Sequence, residues 1–507
     1  MNKSMIGVLA LLGLVGCGGS ADDGDSSNVN VTTGWKAGTY ADSSGFQNKC
    51  EAPRTGSSKI TGKPFPDQKG RAIDEKNFLR SWSYETYLWY RELPDINPAN
   101  TDDPQSYFER LKTNALTSSG KSKDNFHFYE PTEDSEAWEA GISYGYGIHL
   151  KVTQSSPPRA FFVSGVEPNS PAANAGIKRG DKILELDNVN LINDNSSSGV
   201  DTLNDALFPD ALNEAHKFVL QHSGESTSYT VTLISDKVDV SAVPMAKLIT
   251  QGENKIGYVQ FNTFIESAQD EWVTAVNYLK GVGVTDLVVD LRYNGGGLIS
   301  VASMTSYMIG GSNVSGKTFI QYVANDQYAP DTPIKFATSG IYGINKNTAL
   351  PTLNLSRVYI LSTQDTCSAS ELVMNSLRGA GVQVFLIGGS TCGKPYGFTP
   401  EDNCGTTYYS IQFKGVNAKG FGEYSDGFVP SATDNTTDRV KGCQVADNLN
   451  FALGDVNEPL LAAALNLRAT GGCSVSVADS RLQKSQAPVE GGKLIRSPRE
   501  EIAIFDL

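Results

Sequence analysis

For its largest part the sequence predicts an α/β fold, preceded by a smaller strand-rich module and a small helical region. Two observations carry this. From residue 255 onward, apolar runs of strand length alternate with runs of helical period: "KIGYVQF", "QDEWVTAVNYLKGVG", "TDLVVDLR", "LISVASMTSYMIGG", "RVYILS", "SASELVMNSLRGAG" and "VQVFLIGG". Such alternation indicates layered strands and helices. Upstream, "VSGVEPNSPAANAGIKRGDKILELDNVNL" gives strand, short helix, glycine stop and strand again, a compact unit with a different rhythm.

The elements follow in order. "MNKSMIGVLALLGLVGCGGS" has an early lysine, an apolar run of about eleven residues and small residues ending at Cys17, the layout of a secretory signal and too short to span a bilayer. "LVGC" resembles the lipobox of bacterial lipoproteins. That implies removal of residues 1–16, a lipid on Cys17, and a mature chain tethered to a bacterial membrane, on the periplasmic side of the outer membrane or at the cell surface. Residues 17–70 are rich in Ser, Asp, Gly and Asn and read as a flexible linker. Residues 71–140 open with Phe78, Leu79 and Trp82 at helical spacing, predicting a helical N-terminal region. The six cysteines after Cys17 suit an exported chain with up to three disulfides and fifteen pairings, a Cys367–Cys392 bond among them; no spacing resembles a zinc site. A net charge of −14 argues against nucleic acid as a partner.

Residues 141–236 form the strand-rich module. Gly145 and Gly147 stand directly before the apolar strand of "YGYGIHLKV", and Gly176 and Gly180–Asp181 mark a helix stop and a turn into "KILEL". "SPAANAGIKRGDKI" and the loop Gly145–Ile148 resemble a PDZ domain. The resemblance implies that Gly145, Tyr146, Gly147 and Ile148 bind a peptide carboxylate while the peptide adds as a strand to the sheet edge.

Residues 237–473 form the α/β core, and two places in it look reactive. Gly295 and Gly296 follow a buried strand, where bare backbone can aim N–H groups at a substrate. Ser368 begins a helix, with Ser370 inside the first turn and Glu371 behind it. "SASE" is also a good N-cap signature, which alone explains a serine there. Lys394 changes the balance. It sits in a glycine-flanked loop after the next strand, and a strand–helix–strand unit returns the chain to the same sheet edge, making Ser368 and Lys394 neighbours.

The order PDZ, "DLRYNGGG", "SASE", "GKP" resembles the C-terminal processing (tail-specific) serine peptidases, from about residue 75 to about 470. The resemblance implies a serine endopeptidase that captures protein C-termini, here apolar ones, in its PDZ domain. Ser368 would be the nucleophile and Lys394 the base. Backbone N–H groups of Ala369 and of Gly295 or Gly296 would hold the oxyanion. No metal or organic cofactor is implied. One position departs from the pattern: Phe398 stands where many members carry a glutamine that orients the lysine. A lysine base also makes a demand, since only about one free lysine in a few thousand is neutral at pH 7, and burial must lower its pKa by about three units.

The rivals are His127, one residue after the position Phe126 that matches a catalytic histidine of a related branch, and Cys367 as nucleophile. The non-enzymatic alternative is a catalytically inactive, lipid-anchored PDZ peptide-binding scaffold. Residues 474–507 form a polar tail ending in the apolar "IAIFDL", read as a partly ordered terminus, with occupation of the chain's own PDZ groove as the alternative.

Overall fold

The computed structural model describes residues 35–100, 103–117, 119–209, 211–433, 437–473 and 503–504. The expected signal, with the expected lipidation site Cys17, and most of the tail lie outside them. Seven strands build the central sheet, in spatial order Met245–Gln251, Asn254–Gln260, Asp286–Asp290, Arg357–Ser362, Gln383–Gly388, Arg439–Gln444 and Val429–Ser431. The first pair is antiparallel and the rest run parallel. Parallel strands covered on both faces read as unbroken apolar runs, which is how this region reads.

The two faces carry different helices. Ala268–Val282, Ile299–Gly310 and Ala369–Ala380 pack over Val259, Val289, Ile360 and Leu386, while Pro459–Thr470 packs over Ile256, Val288, Tyr359 and Ile387. The first helix buries Trp272, Val276 and Leu279 completely, the stripe its period predicts, and stops at Gly283 with φ 76°. Burying each of those side chains contributes about 1.5–3 kcal/mol. Together they fix the helix against the sheet.

The module at 141–236 has its own core of Phe161, Val163, Ile183, Leu186, Leu203 and Phe218. Its sheet runs Ser228–Ile234, Ala215–Gln221, Lys182–Leu186, Ala160–Val166, Ile148–Gln154, so the strand after the glycine loop lies at an edge. Chain entry and exit, Ile142–Gly145 and Asp236–Asp239, pair antiparallel, as an insertion requires. "NDNSSSG" is not all loop: Ser196 caps a helix, Ser197–Leu207, by accepting the Gly199 N–H.

The stretch 17–70 is folded from Trp35 onward, against its reading as a linker. Cys50 is disulfide-bonded to Cys404, the Asn48 N–H donates to Asn403 at 2.7 Å, and Arg54 pairs with Asp67. Covalent and polar anchors replace a hydrophobic stripe here, so composition alone suggested disorder. The helix Ala72–Thr86 follows and packs Phe78, Leu79 and Trp82 on Tyr107, Phe108 and Leu111.

Candidate active site

Three neighbouring parallel strands, Asp286–Asp290, Arg357–Ser362 and Gln383–Gly388, open their C-terminal ends on one edge of the sheet. The loops that leave them carry Gly295–Gly297, Ser368 and Lys394 respectively. Ser368 and Lys394 line one recess, walled by Ile299, Ile320, Leu372, Phe413 and Tyr424. They are 2% and 1% exposed. Ser368 precedes the helix Ala369–Ala380 at φ 58° and ψ −110°, a region that L-residues avoid. The N–H of Glu371 faces its hydroxyl in the manner of a cap, yet no hydrogen bond of ordinary geometry reaches Oγ. Ser370 is engaged instead, donating its hydroxyl to the Asn294 carbonyl at 2.9 Å. The Lys394 Nζ sits 4.1 Å from the Phe398 ring centroid and 4.7 Å from that of Phe126. Phe398, in the glutamine's place, is therefore a wall of the lysine pocket.

Glu371 ties the loops of Ser368 and Lys394 together. Its Oε2 accepts the N–H groups of Ser368 (3.0 Å) and Lys394 (2.8 Å); its Oε1 accepts the Gly393 N–H (2.9 Å) and the Thr391 hydroxyl (2.5 Å). Burial pushes its carboxyl up to about 7, while these hydrogen bonds pull the other way. Alongside runs the Cys367–Cys392 disulfide, one residue before the serine and two before the lysine. The Cys392 N–H donates to the Thr366 carbonyl at 3.1 Å. Cys367, Cys392 and Glu371 bring three donor atoms close together, but the sulfurs are bonded to each other and the carboxylate is engaged, so they offer no metal site. The disulfide also removes Cys367 as a nucleophile.

The glycine loop is shaped by Asn294, which sequence reading passed over. Its Oδ1 accepts the Gly296 N–H at 3.0 Å, its Nδ2 donates to the Phe261 carbonyl, and its own carbonyl accepts the Cys367 N–H at 3.0 Å. The Gly296 N–H is thus committed within the loop. The Gly295 N–H and the Ala369 N–H, first of its helix, make no such bond among the described residues. Of the two glycines considered for the oxyanion, Gly295 is the available donor. Gly297 holds φ 134°, and a Cβ there would lie 2.4 Å from the Phe264 carbonyl oxygen. Beneath the loop, buried Arg292 pairs with Asp290, Asp447 and Glu458. Only Asp290 and Arg292 of this network stand out in the sequence, as polar residues at the end of an apolar strand.

His127 is packed away from the recess. Its ring stacks on Phe108 at 3.9 Å, Nε2 bonds the Phe108 carbonyl at 2.9 Å, and burial pushes its pKa down to about 4. Its neighbour Phe126 is the residue that reaches Lys394. In the upstream module Gly147 has φ 74°, and a Cβ would meet Ser170 at 2.4 Å. Tyr146 points inward onto Phe218, so its ring serves the core and its backbone alone faces the loop. The module touches the sheet edge that carries these loops twice. Lys151 of the edge strand pairs with Asp365, and Arg179 donates to Tyr293 Oη at 2.7 Å and pairs with Asp447 at 3.1 Å.

Three family models match in chain order: Peptidase S41 N-terminal domain at 74–126, PDZ domain at 162–199, and Peptidase family S41 at 255–401. A carboxyl-terminal-processing protease of Picosynechococcus is 28% identical over 45% of this chain and 49% of its own length. Carboxy-terminal processing protease CtpA of Bacillus subtilis is 23% identical over 82% of this chain and 80% of its own. The chain thus spans about half of the first relative. A crystal structure of a chain from Bacteroides fragilis NCTC 9343 assigned to the S41 proteases superposes with TM-score 0.59 at 21% identity, covering 78% of this chain and 97% of that one, which shows a shared fold. The chain thus carries matches to the N-terminal domain of peptidase family S41, a PDZ domain and the S41 peptidase core, in that order, on a fold shared with an S41 protease structure.

Proposed function

We propose that this chain is a serine endopeptidase working through a Ser368–Lys394 dyad, with its PDZ domain capturing the C-terminus of an apolar-tailed protein. The observation that carries the reading is the shared recess, lined by both an unbonded serine hydroxyl and a buried lysine on loops tied by Glu371 and a disulfide. Ser368 Oγ attacks the scissile carbonyl carbon and Lys394 takes its proton; that proton then passes to the leaving amine as the C–N bond breaks. Water hydrolyses the acyl-enzyme by the same relay in reverse. A lysine base requires burial, and Lys394 is 1% exposed, with Nζ 4.1 Å and 4.7 Å from the Phe398 and Phe126 ring centroids. Gly295 and Ala369 supply the oxyanion donors. The peptide carboxylate meets the Gly145–Ile148 backbone, and its strand pairs with the edge Ile148–Gln154.

The test is cleavage of an unfolded reporter with an apolar C-terminus by wild type, Ser368→Ala, Lys394→Ala and Ser370→Ala. Loss at 368 and 394 with activity kept at 370 supports the dyad; intact binding with no cleavage by wild type across several tails would favour the scaffold. The proposal extends to location, with Cys17 lipidated and the enzyme tethered outside the cytoplasm. Radiolabelled palmitate should enter the wild-type chain and not Cys17→Ala.

A further inference from the structure

The strand Gly297–Leu298 continues directly from the glycine loop and has two edges. Phe264 takes one, through a bridge to Gly297 and a 2.7 Å bond from the Leu298 N–H to the Phe264 carbonyl. The other edge is taken by the chain's own residues Ala503–Ile504, in parallel register Gly297↔Ala503 and Leu298↔Ile504. The same two residues lie beside Tyr396–Gly397, which begins two residues after Lys394. The tail segment therefore sits between the loop that offers the Gly295 N–H and the loop that carries the base. The alternative that the tail fills the PDZ groove is not met by these two residues, which pair in the α/β core.

From this placement we propose that residues 503–504 occupy the slot in which a substrate's scissile segment adds as a strand, and so compete with substrate in cis. The inference rests on the peptidase reading of the site. Three points support it. Backbone pairing is sequence-tolerant, so a slot built for varied substrates accepts a tail segment equally well. The stretch 502–507, Ile-Ala-Ile-Phe-Asp-Leu, is the apolar class of peptide that the recess walls of Ile299, Ile320, Leu372 and Phe413 suit. Cys473, fixed to Cys443, keeps the tail tethered to the core, and a short tether supplies an effective concentration on the order of millimolar. A weak contact then suffices to occupy the slot.

The experiment compares the full chain with one lacking residues 502–507. The first readout is the rate at which a small serine-phosphonylating fluorophosphonate, which needs no PDZ contact, labels Ser368 with loss of fluoride. At that effective concentration, labelling of the truncated chain should be faster by about threefold or more, and a synthetic peptide of residues 500–507 should slow it again. Hydrogen exchange across residues 295–300 should also rise on truncation and fall when the peptide is added. Equal labelling together with unchanged exchange would overturn the proposal, as would peptide protection confined to residues 145–154. If neither chain is labelled, the peptidase reading fails, and the exchange measurement still decides whether the tail sits in the slot.

Discussion

Replacing Glu371 with glutamine keeps its volume and removes one acceptor oxygen. Whichever oxygen becomes the amide nitrogen, two donors lose their partner: either the Ser368 and Lys394 N–H groups or the Gly393 N–H and the Thr391 hydroxyl. All four are buried, and each orphaned donor costs about 1–3 kcal/mol, so the pair costs about 2–6 kcal/mol. Part of that is relieved by separating the two loops, which moves serine and lysine out of register. At a factor of ten per about 1.4 kcal/mol, kcat/KM should fall by roughly 10² or more. Titration gives a second signature. Protonated Glu371 resembles glutamine, so wild-type kcat/KM should fall as pH drops below about 7, towards the level of Glu371→Gln. The stability contribution has the opposite sign. A carboxyl whose folded pKa lies above its unfolded value contributes stability that is present below the unfolded pKa and lost as pH rises through about 7. The assay is reporter cleavage from pH 5 to 9, with Tm measured alongside. A Glu371→Gln enzyme within threefold of wild type at pH 8, its Tm unchanged, would refute the reasoning.

Three further outcomes follow from the geometry. Cys367→Ser/Cys392→Ser should lose about 3.5 kcal/mol of stability by loop-closure entropy, and activity should fall at least as far as it does on reduction of the wild type; stability and activity both equal to oxidised wild type would show that the disulfide does not hold the loops. Gly297→Ala places a Cβ against the Phe264 carbonyl at φ 134°, a strain of about 1–3 kcal/mol, and should lower kcat/KM more than Tm. His127→Gln should lower Tm by removing a packed ring and leave the pH profile of kcat/KM unmoved; a changed profile would return His127 to the mechanism.

The α/β core was legible because its central parallel strands, Asp286–Asp290, Arg357–Ser362 and Gln383–Gly388, are buried along nearly their whole length and so read as apolar runs. The placement of Ser368 and Lys394 at one recess was legible from connectivity, since adjacent parallel strands must open their loops on one edge. What stayed hidden is held by polar atoms. Asn294 lies in a loop whose period says nothing about which N–H its Oδ1 will take, and Glu371 read as half of a capping motif while its oxygens reach a loop more than twenty residues away. The choice between Gly295 and Gly296 depended on one such bond. The segment 35–70 misled for a related reason, since a disulfide and buried polar contacts leave no stripe in the sequence. Arg292 and its three carboxylates are the same kind of object, a network whose members are 155 and 166 residues apart in sequence.

Ser368 began as an ambiguity between a helix cap and a nucleophile, and its backbone bears on the choice. A capping serine has extended backbone, and its oxygen accepts an N–H from the first turn, worth about 1 kcal/mol. Ser368 has φ 58° and ψ −110° with an unbonded Oγ, so it forgoes that gain and adds a strain of about 1–3 kcal/mol. Folding alone gains nothing from a serine here. Ser368→Gly reaches the same angles without strain, at an entropic cost of about 0.5–1 kcal/mol. Ser368→Ala keeps the strain and removes only the unbonded hydroxyl. Both should abolish cleavage, and thermal unfolding should rank glycine above alanine and alanine at or above wild type. The glycine–alanine gap reads the strain, and the alanine–wild-type gap reads the buried hydroxyl. A lower Tm for both variants would mean that the serine stabilises the helix start as a cap, and the argument from its backbone would fail.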